Sequence, residues 1–230
     1  MKRIKNTFFR ISGLRNLVRY FYRKINNVPK FTTSSEYWEA KYKSGGNSGP
    51  GSYNNLAEYK AYVINNFVRE NNVETVIEFG SGDGHQLKYF DFKSYIGFDV
   101  SQSAVNKCRN IYKFDSTKRF EVLEAYNKEK ADLVLSLDVI FHLIEDATFF
   151  DYMEKLFSSS NKYVIIYSSN FDEHENNNVA AHVRHRNFTN WIEQNYPNFK
   201  LIDHIPNKYP FNGNIKTSSY SDFYVFQMND

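Results

Sequence analysis

The stretch VIEFGSGDGHQ, residues 76–86, places Gly80, Gly82 and Gly84 at every second position directly after a short apolar run. Glu78 stands two residues before the first glycine, and Asp83 lies inside the turn. Glycines after a strand let backbone approach a ligand closely and adopt angles closed to other residues. The dinucleotide fingerprint spaces them G-x-G-x-x-G and cradles a pyrophosphate. Here the spacing is G-x-G-x-G, and the added carboxylates would repel a phosphate but suit a ligand carrying an ammonium group. Farther on, Asp99 ends the run YIGFD, where it can accept hydrogen bonds from two ribose hydroxyls. Together these residues describe a site for a nucleoside with an amino-acid tail.

A second set of residues could act on whatever sits beside that ligand. His142 follows the apolar run ADLVLSLDVIF, and the cluster HVRHR brings His182, Arg184, His185 and Arg186 within five positions. Histidine is the usual proton acceptor near neutral pH. Arginines give bidentate contacts to phosphate or carboxylate, so HVRHR suits an anionic acceptor. Competing uses are ordinary: a packed or capping histidine for His142, and a solvated helix start for HVRHR. Glu173, His174 and Glu175 fit no strong metal-ligand spacing.

These residues need a scaffold that gathers strand ends. From Thr75 onward, strand-like and helix-like stretches alternate: TVIEF, a helical start in GHQLKYF, YIGFD, the helix SQSAVNKCRNIY capped by Ser101, RFEVLEA and ADLVLSLDV. The helix EDATFFDYMEKLF, the strand KYVIIYSS and the helix NFTNWIEQN, starting at Asn187 or Thr189, follow. The alternation predicts a parallel sheet wrapped by helices. FKLIDHI and SDFYVFQM are joined by an irregular loop, which predicts an antiparallel pair at one edge. In such sheets ligands bind beyond the strand C-termini, at Glu78–Gly84, Asp99, Asp138–His142 and from Tyr167 onward.

On these motifs the chain resembles class I S-adenosylmethionine-dependent methyltransferases. VIEFGSGDG is similar to their first motif, YIGFDVS to the second and ADLVLSLDVIFHL to the fourth. The resemblance implies an α/β, Rossmann-like, doubly wound and mostly parallel seven-stranded sheet of order 3-2-1-4-5-7-6 with strand 7 antiparallel. It implies S-adenosyl-L-methionine as cofactor, with contacts at Glu78, Gly80, Ser81, Gly82, Asp99, Val100 and Asp138. The family's adenine-contacting acid after the third strand has no clear counterpart; Asp115 and Glu124 lie nearby. Upstream, SSEYWEAKYKSGGNSGPGSYNNLAEYK is similar to the N-terminal cover of small-molecule methyltransferases. That likeness places Tyr37, Trp38 and Tyr42 near the methionine end under a lid, SGGNSGPGS; an aromatic helix followed by a plain loop is the alternative.

The motifs imply methyl transfer with His142, His182 or His185 as catalytic candidates, and Arg184, Arg186 and Tyr167 on the acceptor side. YWEAKYKSGGNSGPGSY, LSLDVIFHLIED, YVIIYSSN and HVRHRNFTNW also resemble methyltransferases of bacterial surface-polysaccharide synthesis. That narrower likeness implies a sugar hydroxyl or sugar-linked phosphate as acceptor. RNA or protein methylation and a non-catalytic cofactor-binding scaffold stay open. DNA amino-methylation would show an Asn/Asp-Pro-Pro-aromatic motif where this chain has LDVIFH.

Composition sets the frame. Of 29 basic residues, nine fall in residues 1–30, which hold no acid; residues 31–230 carry 20 basic and 26 acidic residues. A mildly acidic body argues against a nucleic-acid-binding face. The single Cys108 excludes an internal disulfide and suits a reducing, cytoplasmic setting. The expected organisation is a basic amphipathic segment, 1–30, and one domain, 31–230, whose first part, 31–70, covers the cofactor. Ile4, Phe8, Ile11, Leu14 and Val18 form one helical stripe among the basic residues. Residues 1–25 can thus touch an anionic membrane surface at its inner face, serve as a transit peptide, or dock on the domain.

Overall fold

The computed structural model describes residues 30–172 and 180–229. The basic stripe and the Glu173–His174–Glu175 group lie outside the described residues. Within them, β1 (Thr75–Phe79), β2 (Ser94–Asp99), β3 (Lys118–Val122), β4 (Ala131–Leu137), β5 (Ser160–Ser168), β6 (Phe199–Ile205) and β7 (Asp222–Met228) form one sheet. Its order is β3-β2-β1-β4-β5-β7-β6, with β7 antiparallel to both neighbours, as the motifs and the edge-pair reading implied.

The sheet is buried on both faces because its central strands are apolar at successive positions, not only at alternate ones. Along β4, Leu133, Leu135 and Leu137 pack on one side, and Ala131 and Val134 on the other. The first side meets α2 (Asn54–Glu70) through Ala61, Ile64 and Val68, and α3 (Gln102–Ile111) through Val105 and Cys108. The second meets α4 (Asp146–Ser158) through Phe149, Met153 and Leu156, and α5 (Phe188–Asn195) through Phe188 and Ile192. Each such buried side chain contributes about 1.5–3 kcal/mol relative to exposure, so a polar residue in mid-strand would be costly.

Local capping follows the sequence. Ser101 accepts from the backbone N–H of Ala104 at the start of α3, and Asn187, rather than Thr189, accepts from Asn190 at the start of α5. GHQLKYF forms only a 3₁₀ turn, Gln86–Tyr89. The glycine turn uses the residues before it, and Gln86 is tied to Glu78, so little chain is left for a full helix before β2. At the N-terminal side, α1 (Ser34–Lys43) lies across the strand ends and leads through Ser44–Tyr53 into α2. Among the described residues no helix is long and apolar enough to cross a membrane.

Candidate active site

The glycine turn is fixed to the neighbouring strand. Gly80 and Ser81 both donate backbone N–H groups to the Phe98 carbonyl, at 2.7 and 3.0 Å. Gly80 and Gly82 have φ of +81° and +59°, in the left-handed region where a Cβ is strained. A Cβ on Gly82 would also lie 2.4 Å from Ser48 Oγ and 3.0 Å from the Tyr42 hydroxyl. That glycine therefore makes room for the N-terminal cover as well as for the turn. Ser81 turns its side chain toward Gly97, where its hydroxyl is buried without a hydrogen-bond partner.

Asp99 anchors the end of β2. Its Oδ2 accepts from Gly82 N at 2.8 Å and its Oδ1 from Ser101 N at 2.9 Å, so the carboxylate joins the turn to α3. Burial pushes Asp99 up to about 6. Asp83 accepts from Ser48 Oγ at 2.9 Å and from the Tyr53 hydroxyl at 2.6 Å. Burial works against its charge, but these bonds and Lys107 outweigh it and hold the acid below its ordinary value. The loop SGGNSGPGS is thereby fastened to the turn beneath it.

Gly80, Ser81, Gly82, Asp99, Val100, Asp138 and Tyr42 line one cavity, closed from above by Trp38, Tyr42 and Ser48. Its volume is about 100 Å³, below the roughly 300–1,000 Å³ of ligand pockets. A nucleoside needs more room than this closed arrangement offers. Bonds at the start and middle of α1 hold it in place: Ser34 donates to Glu145 at 3.0 and 2.7 Å, and Glu39 accepts from Ser101 and Ser103. The donor set fits S-adenosylmethionine: carboxylates at Asp99 and Asp138, and apolar walls at Phe98, Val100 and Leu123. Glu124 is exposed and Asp115 pairs with Lys118, so neither lines the cavity. Glu78 is not at this cavity either. It is buried beneath the turn, where Gln86 and the Tyr95 hydroxyl donate to it at 3.0 and 2.6 Å, and burial pushes it up to about 7.

A second cavity of about 730 Å³ adjoins the first, and Trp38, Ser48, Asp138 and His142 line both. Its far wall is a belt of rings: Phe171 lies 4.5 Å from His185, and Phe211 stacks on Tyr220 at 3.9 Å. Serines 169, 218, 219 and 221 add hydroxyls, and Lys41 stands at the side with its ammonium 4.2 Å over the Trp38 ring. Burial lowers Lys41 to about 8, against the opposing pull of Asp83.

The three histidines gather here. His182 and His185 line the second cavity, whereas His142 lies on the shared wall. His142 Nδ1 is 2.8 Å from the His182 carbonyl oxygen, and its ring stands edge-on to Trp38 at 4.8 Å. A carbonyl only accepts, so Nδ1 carries the proton and Nε2 keeps its lone pair. Burial drives His142 down to about 3, against the opposing effect of that bond; the neighbouring His182, Lys41 and His185 lower it further.

The expected substrate contacts at Arg184, Arg186 and Tyr167 are not brought to either cavity. Both arginines bond Asp146 Oδ1, at 2.9 and 2.6 Å, and both donate to the Ile144 carbonyl. They staple the turn after β4 to the HVRHR segment and so brace His142 from behind. Tyr167 is buried beside α2, where its hydroxyl accepts from Asn207 at 2.7 Å. Sequence reasoning missed Lys60, which reaches from α2 to Asp138 at 2.8 Å with no exposed side-chain surface. A lysine on the apolar stripe of α2, between Ala57 and Ala61, was the available signal. Ser48 lies in the expected lid SGGNSGPGS, whereas Ser221 and the ring belt carried no signal, because they meet only through the tertiary fold. Among the described residues no group of three His, Cys, Asp or Glu can hold a metal ion.

A family model described as a methyltransferase domain matches residues 77–165, which run from within β1, across the glycine turn, into β5. No curated protein matches the chain. Among solved structures, N-methyltransferase NodS from Bradyrhizobium japonicum WM9 with S-adenosylhomocysteine aligns with TM-score 0.63 at 12% identity, over 86% of this chain and 100% of that one. Magnesium protoporphyrin IX methyltransferase from Synechocystis PCC 6803 with bound S-adenosylmethionine gives 0.60 at 12%, over 87% and 100%. The methyltransferase domain of bacterial CtHen1-C gives 0.58 at 18%, over 76% and 100%. At these identities the likeness is one of fold, and it agrees with the observed strand order. Fold, cofactor turn and matched domain converge: the chain is an S-adenosylmethionine-dependent methyltransferase of the class I fold.

Proposed function

We propose that the enzyme methylates a ring-bearing small molecule or glycan, at a sugar hydroxyl or sugar-linked phosphate, held in the second cavity. The observation that carries this reading is the wall common to both cavities, made by Trp38, Ser48, Asp138 and His142. When bound, the cofactor supplies an electrophilic methyl group on a sulfonium sulfur. Asp99 accepts from the ribose hydroxyls, while Asp138 and Tyr42 face the methionine end. The glycine turn lets backbone come close without Cβ atoms in the way, its N–H groups at Gly80, Ser81 and Gly82 being engaged by Phe98 and Asp99, and Trp38 and Tyr42 exclude water.

On the acceptor side, rings at Phe171, Phe211 and Tyr220 offer flat faces to the C–H side of a pyranose. Ser169, Ser218 and Ser219 offer hydrogen bonds to its hydroxyl edge. Positioning of this kind supplies much of the acceleration in a displacement at carbon. His142, with Nε2 unprotonated, accepts a hydrogen bond from the acceptor hydroxyl and orients its oxygen. Its low basicity suits it less to full proton removal; His185, held by Ser169 at 2.6 Å, stands farther into the cavity as proton acceptor. Residues 31–70 act as the cofactor cover of a single domain, and residues 1–25 keep the enzyme at the inner face of a membrane where glycans are assembled.

The test is release of S-adenosylhomocysteine on incubation with sugars, sugar phosphates and a short RNA. Turnover on a sugar-type acceptor, reduced at least tenfold by Trp38→Ala, is the expected outcome. Turnover on RNA alone would replace this reading, and the mildly acidic body is the observation against that result.

A further inference from the structure

The acceptor cavity has an electrostatic bias that its ring belt does not explain. Asp138 is its one carboxylate among the described lining residues, and both oxygens of that group are engaged. Oδ2 accepts from Lys60 at 2.8 Å, and Oδ1 from Ser221 Oγ at 2.9 Å. The Lys60–Asp138 pair is neutral as a unit. What remains is Lys41, together with the imidazoles of His182 and His185.

Lys41 is placed in an unusual way for a lysine on a surface helix. The next lysine along α1, Lys43, is exposed. Lys41 instead folds over the Trp38 ring, 4.2 Å from its centroid, and is part of the cavity wall. Among the described residues no carboxylate lies within 4.0 Å of its ammonium. Asp83 attracts it only from beyond contact distance, and burial outweighs that pull. Taking an ammonium out of water without a contacting anion is unfavourable, and a single ring face offsets only about 0.5–2 kcal/mol of that. A protein gains from such an arrangement when the ligand brings the missing charge. The Trp38 ring beneath it belongs also to the cofactor cavity, so the cation sits beside the place of methyl transfer.

From this geometry we infer that Lys41 is a specificity residue for an anionic group, a carboxylate or a phosphate, carried by the methyl acceptor. The inference rests on the second cavity being the acceptor site. It also replaces the anion contacts expected at Arg184 and Arg186, whose guanidinium groups are bound to Asp146 instead.

Two tryptophans are present in the whole chain, Trp38 and Trp191. Trp191→Phe therefore leaves Trp38 as the sole indole reporter, directly beneath Lys41. Protein carrying this change and loaded with S-adenosylhomocysteine is titrated with phenyl phosphate, benzoate and the neutral benzyl alcohol, and Trp38 emission is followed. At least one anion is expected to bind roughly tenfold more tightly than benzyl alcohol, the weight of one charge-assisted contact. The two anionic probes separate a phosphate from a carboxylate preference. Adding Lys41→Met should abolish the preference, and Lys41→Arg should retain it. Affinity for S-adenosylhomocysteine, measured in each variant, reports whether the cofactor site is still formed.

Equal affinity for charged and neutral probes, or a preference that survives Lys41→Met, would overturn the inference and leave the cavity as acceptor site. If no probe changes Trp38 emission while S-adenosylhomocysteine still binds, the acceptor-site reading falls as well.

Discussion

Lys60 Nζ lies 2.8 Å from Asp138 Oδ2, and the lysine side chain is wholly buried while the carboxylate keeps 15% of its surface. Asp138 holds φ of +60°, a strained angle for a residue with a side chain. A Cβ on Gly51 would lie 2.6 Å from the same Oδ2. One carboxylate thus receives α2, the cover and, through Ser221, the start of β7. Strain and burial together mark it as a place where stability has been given up for position.

Removing one partner should be costly, since it leaves an uncompensated buried charge. Lys60→Met is expected to destabilise the fold by about 3–5 kcal/mol, and Lys60→Met with Asp138→Asn by clearly less. Urea denaturation of the two variants checks this. Equal losses would mean that the lysine matters for packing alone.

How much of this was readable beforehand differs between the two cavities. The turn, Asp99, Val100 and the strand order were legible because each is local: a spacing, a strand end, an alternation of apolar residues. Glu78 precedes the turn and so suggests a ligand contact, yet β-strand alternation sends it to the opposite face from Phe79, under Tyr95 and Gln86. The arginines depart from expectation for a related reason. HVRHR shows charge density, but not that Asp146, 38 and 40 residues away in sequence, would take both guanidinium groups. The acceptor cavity draws on residues from Trp38 to Ser221 and has no sequence-local signature.

Asp99 should make cofactor affinity depend on pH. Its folded value of about 6 lies above the ordinary carboxylate range because it is buried. In the proposed site the ionised form accepts from ribose hydroxyls, so affinity for S-adenosylhomocysteine is expected to be full above pH 6 and to fall as the pH drops through that value. Asp99→Ala should weaken binding by about 1–3 kcal/mol and flatten the pH dependence. Calorimetric titration between pH 5 and 8 would show both effects, and an unchanged slope in the variant would assign the titration elsewhere.

Glu78 offers the corresponding test on stability. Its folded value of about 7 exceeds the unperturbed 4.5, so the native state holds this proton more tightly than the unfolded chain does. Stability contributed by the protonated form is present below pH 4.5 and is lost as the pH rises through 7. Relative to Glu78→Gln, which cannot titrate, the wild-type melting temperature should fall between pH 5 and 7.5. Parallel melting curves for the two proteins across that interval would contradict the buried, proton-holding carboxylate.

The tethers of α1 predict a kinetic effect. Glu39 accepts from Ser101 Oγ at 2.6 Å and from Ser103 N and Oγ at 3.1 and 2.7 Å. Opening the cover breaks these bonds together, each worth about 0.5–1.5 kcal/mol net and more where charge assists. Glu39→Ala should therefore speed association of S-adenosylhomocysteine by roughly three- to tenfold. Stopped-flow mixing reads the rate directly. Unchanged association would mean that entry does not require α1 to lift.

His142 supplies the last prediction, because its tautomer is fixed by geometry. The His182 carbonyl can only accept, so Nδ1 keeps the proton and Nε2 remains the free acceptor on the wall between the cavities. With its value lowered to about 3 by burial, the ring should stay neutral throughout the range in which the enzyme is folded. Nitrogen-15 spectra should show a protonated Nδ1 and no titration above pH 4. His142→Ala should lower turnover by roughly ten- to a hundredfold while leaving affinity for S-adenosylhomocysteine within a factor of about two. The separation matters chemically. A ring that cannot charge near pH 7 cannot set the acid limb of a rate profile. A limb near 6 to 7 that persists in His142→Gln therefore points to another group, with His185 the first to replace. A limb that vanishes in His142→Gln would instead show that the ring titrates in the working enzyme, and the fixed-tautomer account would fail.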